Sequence, residues 1–283
     1  MKRITFTIPI IFFITIICGC GEDRKEGNNT RLNGVEYSPE KDARIQHYNL
    51  EQQKKLAGNR TPCDTLALKE FILENYPKGN YLVNTDKTLS YSIPKPAVIY
   101  YKKDRSYIFG VIAKSREGER LIEPKNIVGY DQSFIDLDST ELGTAYFYLT
   151  LFRCQNGNFE TVWESLIPSH GGFNNITLKH WNYKNFPFIE VNFHYGRGTG
   201  HINYNYFLID GINSQPHLLM TYKGINFKRT IAKINDDEFP DYYEHLYYDL
   251  GDRIFSKDSV AFVWNVKDSI YVNSRNKRQT RPY

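Results

Sequence analysis

Few side chains in this 283-residue chain stand where they could act on a substrate together. His194, His201 and His217 fall on neighbouring strand-like segments and could meet across strands as metal ligands, but nothing resembling His-Glu-x-x-His is present. Histidines in a tyrosine-rich β protein are more simply half-buried packing residues. The stretch His170-Gly171-Gly172 could turn backbone N–H groups toward an oxyanion, yet there is no Gly-x-Ser-x-Gly elbow to supply a nucleophile, so it reads as a glycine turn. Cys63 and Cys154 are too far apart for zinc spacing. No set of groups able to do acid–base or nucleophilic work together is evident, so no catalytic residue is assigned and no cofactor is expected.

The beginning of the chain is more informative. Lys2 and Arg3 precede an apolar or hydroxyl stretch from Ile4 to Ile17, the division of labour of a signal peptide. The stretch is shorter than the roughly 20 residues a membrane-spanning helix needs, and Pro9 interrupts it. It ends in Ile17-Cys18-Gly19-Cys20, which resembles the lipobox of bacterial prolipoproteins. That resemblance implies cleavage before Cys20 and lipid on its sulfur, an attachment in which each buried methylene contributes about 0.8 kcal/mol. The polar run Gly21 to Asn29 reads as a disordered tether, and its Glu22-Asp23 pair is similar to the export signal that sends some lipoproteins to the outer face of the outer membrane.

Cleavage would remove Lys2 and Arg3 and take the formal charge from +4 to +2, so no basic stripe for nucleic acid is implied. The C-terminal cluster of Arg275, Lys277, Arg278 and Arg281 reads as a solvated tail. With Cys18 discarded and Cys20 acylated, Cys63 and Cys154 remain in an oxidising compartment and are expected to form a disulfide.

The elements that would position any site follow from periodicity. Residues 1–19 are signal peptide, 20–37 lipidated cysteine and tether, 38–78 a helical segment, 79–273 an all-β domain and 274–283 a basic tail. Ser38-Pro39-Glu40 starts one helix and Gly58 stops it; its thin apolar stripe of Ile45, Tyr48 and Leu56 suits a surface helix. A stronger helix runs from an Asp64 cap to Asn75, before Pro77. From Tyr81 onward the segments are short and rich in β-branched and aromatic residues, among them Ser106 to Ala113, Ala145 to Cys154, Phe188 to His194 and Val260 to Val266. Turns such as Gln155-Asn156-Gly157-Asn158 separate them, which predicts an antiparallel, mainly β body. The span from Asn174 to Tyr222 reads as four successive strands and resembles one blade of a β-propeller; a β-sandwich gives the same spacing. Most of the 22 tyrosines and 18 phenylalanines should fill the core, although Trp163, Trp181 and Trp264 could join them in a glycan- or protein-binding face.

Three further resemblances bear on chemistry. Asn235-Asp236-Asp237-Glu238-Phe239-Pro240-Asp241 is similar to the calcium loop of integrin-like propeller repeats, with Asn235, Asp237 and Asp241 on matching ligand positions. Lys233 stands where the first aspartate should be and Glu238 where the turn glycine should be, so the loop reads as one that keeps the shape and has lost the metal. Asp136-Leu137-Asp138-Ser139-Thr140 resembles the first motif of haloacid-dehalogenase-like phosphatases, with Gly251-Asp252 and Asp258 imitating the acidic one. Those sites need an α/β sheet, and a β-turn is the simpler reading here. Asp64-Thr65-Leu66, Asp138-Ser139-Thr140, Asp258-Ser259-Val260 and Asp268-Ser269-Ile270 look like the O-glycosylation sequon of some exported Gram-negative proteins. The expectation is a non-catalytic, lipid-anchored β domain at the outer membrane that binds a protein or glycan of the cell envelope. The alternatives are an envelope hydrolase built on Asp136 and Asp138 or the histidines, and an immunity-type lipoprotein that neutralises a toxin.

Overall fold

The computed structural model describes residues 31–32, 35–36, 39–78, 80–84, 95–101, 106–114, 146–168, 173–194 and 200–283. Two helices lead the fold, α1 (Pro39–Leu56) and α2 (Thr65–Asn75). The Asp64 side chain accepts from the Ala67 amide at 2.8 Å and so satisfies one of the donors that an α-helix leaves open at its first turn. Arg60 grips the same carboxylate and, with the backbone donors, holds it below the usual carboxylate range. Leu68 and Ile72, one turn apart, are the face that α2 buries, against Leu82, Ile108, Ile112 and Phe152. α1 lies further out: it buries Leu50, leaves Ile45, Tyr48 and Leu56 exposed, and is tied to α2 by Lys54 with Glu70 and by Lys69 with Gln53. Among the described residues no helix is long and apolar enough to cross a membrane.

The body is mainly β and antiparallel, as strands joined by short turns must be. β1 (Arg31–Leu32) and β2 (Val35–Glu36) pair with each other, inside the span read as tether. One sheet contains β3 (Tyr81–Leu82), β4 (Val98–Tyr101), β5 (Tyr107–Lys114), β6 (Tyr146–Gln155) and β7 (Asn158–Ile167), with β3 and β4 sharing the same edge of β5. The other has nine strands in chain order: β8 (Phe173–Trp181), β9 (Phe186–His194), β10 (His201–Phe207), β11 (His217–Lys223), β12 (Lys228–Ala232), β13 (Asp241–Asp249), β14 (Ile254–Asn265), β15 (Ile270–Asn273) and β16 (Thr280–Arg281). Tight turns hold the left-handed residues that such hairpins demand: Asn156 at φ 51° with Gly157 at 89° joins β6 to β7.

The nine-stranded sheet has a natural division. β11 and β12 are joined by only two residue pairs, Tyr222 with Arg229 and Lys223 with Lys228. On either side of that seam lies a four-stranded meander, β8 to β11 and β12 to β15. Alternate residues of the first, Ile189, Val191, Phe193, Ile202, Tyr204 and Tyr206, pack against Phe109, Val111, Leu149, Leu151 and Trp163 of the smaller sheet. The intervening residues Trp181, Phe188, Phe207 and Leu219 pack the opposite way, against Tyr242, Phe262 and Tyr271 of the second meander. The layers are therefore α2, the small sheet, β8 to β11, and β12 to β15, stacked face to face. The four-strand cadence expected over 174–222 is present as β8 to β11, and its ladder continues into β12. Both meanders place Phe-Pro at the same step, Phe186-Pro187 opening β9 and Phe239-Pro240 immediately before β13. The third residue after each phenylalanine, Ile189 or Tyr242, faces the preceding layer.

The seam is held by Arg229. It is buried, lies over the rings of Tyr222 and Tyr242 at 4.9 and 4.2 Å, and donates to the carbonyls of Met220 and Tyr283 at 3.3 and 3.0 Å. Residues 274–283, expected as a solvated tail, thus return to the body: Thr280–Arg281 pairs with β15, and Tyr283 packs on the main core. Arg275, Lys277 and Arg278 stay exposed.

Cys63 and Cys154 are joined, with Cα atoms 5.9 Å apart, and tie the α1–α2 connection to the end of β6. The bridge closes a loop spanning 91 residues, for which the chain-entropy account gives a stabilisation of roughly 4 to 5 kcal/mol. Replacing both cysteines by alanine should therefore lower the urea midpoint by a corresponding amount, and reduction of the native chain should do the same. Equal midpoints for oxidised and reduced protein would show that the bridge adds nothing.

Candidate functional site

Most strands of the two meanders end where their neighbours end; β13 and β14 do not. β12 follows β13 only as far as the Lys228–His245 pair, and β15 follows β14 only from Phe262 to Asn265, with one further bond from the Ser274 amide to the Ala261 carbonyl. Beyond those points β13 and β14 pair only with each other, Tyr247 with Ser256, Tyr248 with Phe255 and Asp249 with Ile254, after a bulge at Leu246/Tyr247. The result is a two-stranded arm, closed by a bond from the Leu250 amide to the Arg253 carbonyl and by Gly251 at φ 86°.

An isolated hairpin of this kind is marginal in water, and polar outer faces are its usual protection. This one is apolar instead. Tyr248 is 51% exposed, Leu250 67% and Phe255 47%, and Leu246 and Ile254 are exposed as well. Strand alternation puts Leu246, Tyr248 and Phe255 on one side, where the Lys257 ammonium sits 4.5 Å from the Tyr248 ring. At the base of the arm Arg275 closes the open edge of β14 by donating to Asp258 and to the Ser259 carbonyl. That guanidinium, with the Ser259 amide, pulls the exposed Asp258 carboxyl down to about 2. Past this point, among the described residues, no further strand pairs with either edge of the arm, and apolar side chains lie beside those edges. The arrangement suits capture of a partner that brings its own extended backbone and apolar surface.

The residues singled out from sequence are dispersed. Asn235, Asp237 and Asp241 do come together, on the β12–β13 turn. Asp241 is buried and its carboxylate accepts from the amides of Ile234 (3.0 Å), Asn235 (3.3 Å) and Trp264 (2.9 Å). Burial nonetheless raises its pKa, against the pull of those amides. Asp237 accepts from the Phe239 amide at 2.9 Å and from the Asn235 side chain at 2.6 Å, while the Lys233 ammonium lies 3.2 Å from Asp236. These oxygens, which a calcium ion would need, already serve the turn.

His194 and His201 face each other across β9 and β10 with ring centroids 5.1 Å apart. His217 pairs with Phe207 at the opposite end of the β10–β11 ladder. Among the described residues no three His, Cys, Asp or Glu side chains converge as a metal set. Cys20, Asp136, Asp138 and His170 lie outside the described residues. Gly251-Asp252, matched above to an acidic phosphatase motif, is the turn of the arm, and Asp258 is on β14. Of the hydroxyls in the sequon-like triplets, Thr65 bonds to Tyr100 at 2.9 Å, Ser259 is within β14, and Ser269 is exposed on the β14–β15 turn at φ 52°. Ser139 lies outside the described residues.

The arm itself was missed from sequence. Its signal is the run Leu246 to Phe255, which has apolar residues on both parities of a hairpin, with its charges, Asp249, Asp252 and Arg253, near the turn. No protein-family model matches the chain, and comparison with curated proteins and with solved structures gives no match.

His217 is a histidine whose burial dictates a pH response, larger than the lowering that burial and Lys228 impose on the more exposed His245. It lies among Phe239, Trp264 and Tyr271, with ring centroids 5.1, 4.5 and 5.9 Å away. Tyr271 donates its hydroxyl hydrogen to the Pro240 carbonyl at 2.8 Å, so the 2.7 Å contact with His217 Nε2 has the imidazole as donor. Burial pushes the imidazole pKa down to about 4. A histidine depressed on folding gives stability that is complete above the unfolded value near 6.5 and is lost as pH falls from there toward 4, up to roughly 3 kcal/mol. Urea midpoints measured at steps from pH 7 to 4 should fall, and His217→Phe should flatten the fall over that window. An unchanged slope in the variant would place the acid sensitivity elsewhere.

Proposed function

We propose that this chain is a lipid-anchored lipoprotein of the bacterial outer membrane whose β domain holds another envelope protein through the β13–β14 arm. The observation that carries the reading is the arm: a hairpin that leaves its sheet and exposes Leu246, Tyr248, Leu250, Ile254 and Phe255. Exposed apolar surface of this kind on a projecting element marks interaction sites. A protein partner fits better than a glycan. Sugar sites combine an aromatic platform with ordered polar side chains, whereas the arm combines aliphatic and aromatic residues with open backbone edges. The anchor is supported by the Ile17-Cys18-Gly19-Cys20 motif behind an apolar leader. A tether after Cys20 would give the domain freedom to meet a partner beside the membrane.

Two measurements on cells test the two halves. Labelled palmitate should enter the native chain and not Cys20→Ala, and the variant should leave the membrane fraction. A photoreactive residue at position 248 or 255 should crosslink to an envelope protein. The same residue at position 183, equally exposed on the β8–β9 turn, should give no such product. Crosslinking that is the same from both places, or absent from the arm, would remove the arm as the binding element. Palmitate in Cys20→Ala would remove the anchor.

A further inference from the structure

The backbone polarity of the arm follows from the bond that closes it. The Leu250 amide donates to the Arg253 carbonyl at 3.0 Å, so these two residues turn their peptide groups toward each other. Antiparallel strands alternate such inward pairs with outward ones, and the register carries the alternation back along the arm. Tyr248 and Phe255 form the next inward pair, while Ile254 and Ser256 turn N–H and C=O away from β13. No strand among the described residues meets them there, because β15 stops at Asn273, opposite Phe262. Further down the same edge Ser259 is closed by side chains. Its N–H donates to Asp258 at 2.7 Å, and its carbonyl accepts from Arg275 at 2.9 Å. The outer part of β14 is thus an open lane of alternating backbone donors and acceptors that ends at the Asp258–Arg275 pair.

The side chains beside this lane carry a charge pattern. Strand alternation sets Arg253 and Phe255 on one side of the arm, and Lys257 lies on that side too, its ammonium 4.5 Å from the Tyr248 ring. Phe255 is therefore flanked by two cations. Asp252 is 3.5 Å from the Arg253 guanidinium, but both side chains are 73% exposed, and such a pair contributes little in water. Lys257 packs on an aromatic ring, and the nearby Asp258 carboxylate is already taken by Arg275.

We propose, resting on the arm as the binding element, that this lane takes up an extended segment of the partner as an added strand. In that segment an apolar residue lies beside Phe255, and a carboxylate two residues to either side meets Arg253 and Lys257. Outward N–H and C=O groups at every second residue are matched by another extended backbone. A second copy of this chain is the wrong occupant: pairing two β14 edges about Phe255 would set Arg253 opposite Lys257 of the copy, and like charges directly opposite destabilise a strand pair. Carboxylates at those positions turn the same cations into attraction, so what repels a copy selects the partner. Acidic-x-apolar-x-acidic reads the same in both chain directions, so either orientation of the added strand satisfies it. On the β13 edge the turn between β11 and β12 follows directly on the Lys228–His245 pair and takes up the start of the corresponding lane.

The probe is a fluorophore-labelled synthetic peptide, Thr-Thr-Glu-Thr-Val-Thr-Glu-Thr-Thr, titrated with the purified full chain in detergent and read by anisotropy. A second peptide has lysine for both glutamates. The native chain should bind the acidic peptide at least about tenfold more tightly than the basic one, and Lys257→Glu should remove that preference. Lys267→Glu, the same charge change on the exposed β14–β15 turn, should retain it. Ser256→Pro deletes an outward N–H while sparing the bonds to β13, and should weaken binding of the acidic peptide by at least about tenfold. No binding of the acidic peptide, equal binding of both peptides, or native behaviour in folded Ser256→Pro or Lys257→Glu overturns the proposal. In cells the two readings separate. Crosslinking from position 255 that persists in Ser256→Pro keeps the arm as the binding element and removes strand addition; absence of crosslinking from the otherwise native arm removes both.

Discussion

Two-sided burial of the β8 to β11 meander is the constraint from which the rest of the structure follows. A sheet covered on one face can place polar residues at every second position; one covered on both cannot. Ile189, Val191 and Phe193 therefore alternate with Phe186, Phe188, Glu190 and Asn192 along β9, and large apolar side chains appear on both parities. Burying each such side chain contributes about 1.5 to 3 kcal/mol, and the polar atoms carried in with them must find partners inside. Several asparagines do so in series, while the Tyr204 hydroxyl and the Trp181 indole N–H have no partner among the described residues. Asn174 donates to Asn192 and Asn192 to Asn203, while Asn205 donates to the Leu219 carbonyl and to Thr221. Two further bonds cross between layers. Tyr206 donates to the Leu166 carbonyl at 2.9 Å, and the Trp163 indole donates to the Ile212 carbonyl at 2.8 Å. These fix the small sheet against the meander in one register, which apolar contact alone does not specify.

The outer layers inherit a simpler problem, since each has one shared face and one face to manage. For the small sheet α2 manages it, and the Cys63–Cys154 bridge holds the segment leading into that helix against β6. β12 to β15 carry Thr230, Ala261, Val263 and Val272 there around Tyr243 and His245, and the length of β13 and β14 beyond their neighbours becomes the arm. Arg275 at the arm's base is a device of the kind that edge strands use against uncontrolled pairing: it occupies the Ser259 carbonyl and leaves only the outer part of the edge open. The exposure of Tyr248 and Phe255 is thus local and bounded.

How much of this could be read from the sequence depended on whether the signal was local. Asp64 before an apolar helical stripe, Asn156-Gly157 between two strands and the β-branched and aromatic run 106–113 are local, and they gave the helix, the turn and the mainly β class. The Cys63–Cys154 pairing was legible by elimination, because two thiols remain once Cys18 and Cys20 are read as part of a leader and its anchor. β13 was not legible. Asp-Tyr-Tyr-Glu-His-Leu-Tyr-Tyr-Asp lacks clean alternation, since its first half faces a layer and its second half faces none, and its opening aspartate was absorbed into a metal-loop reading. The return of Tyr283 to Arg229 was hidden because a contact between residues 54 positions apart leaves no mark on a basic, proline-containing terminus. The arm was hidden for the same kind of reason: a projecting hairpin is defined by where its neighbours stop.

The turn 235–241 brings oxygens together on backbone amides. In a calcium loop the cation holds converging oxygens together against their mutual repulsion. Here the first position is Lys233, and the remaining oxygens converge on backbone amides instead. Asp241 alone accepts from three, two within the turn and one on β14. A carboxylate that takes several N–H bonds is well stabilised as an anion, yet burial raises the pKa of Asp241, so desolvation outweighs the gain from those bonds. The geometry is nevertheless useful. By joining the turn to the Trp264 amide, Asp241 sets where β13 begins relative to β14, and that register carries through the ladder to the bulge at Leu246/Tyr247. The side on which Tyr248 and Phe255 emerge is therefore fixed from a buried aspartate at the far end of the same strand.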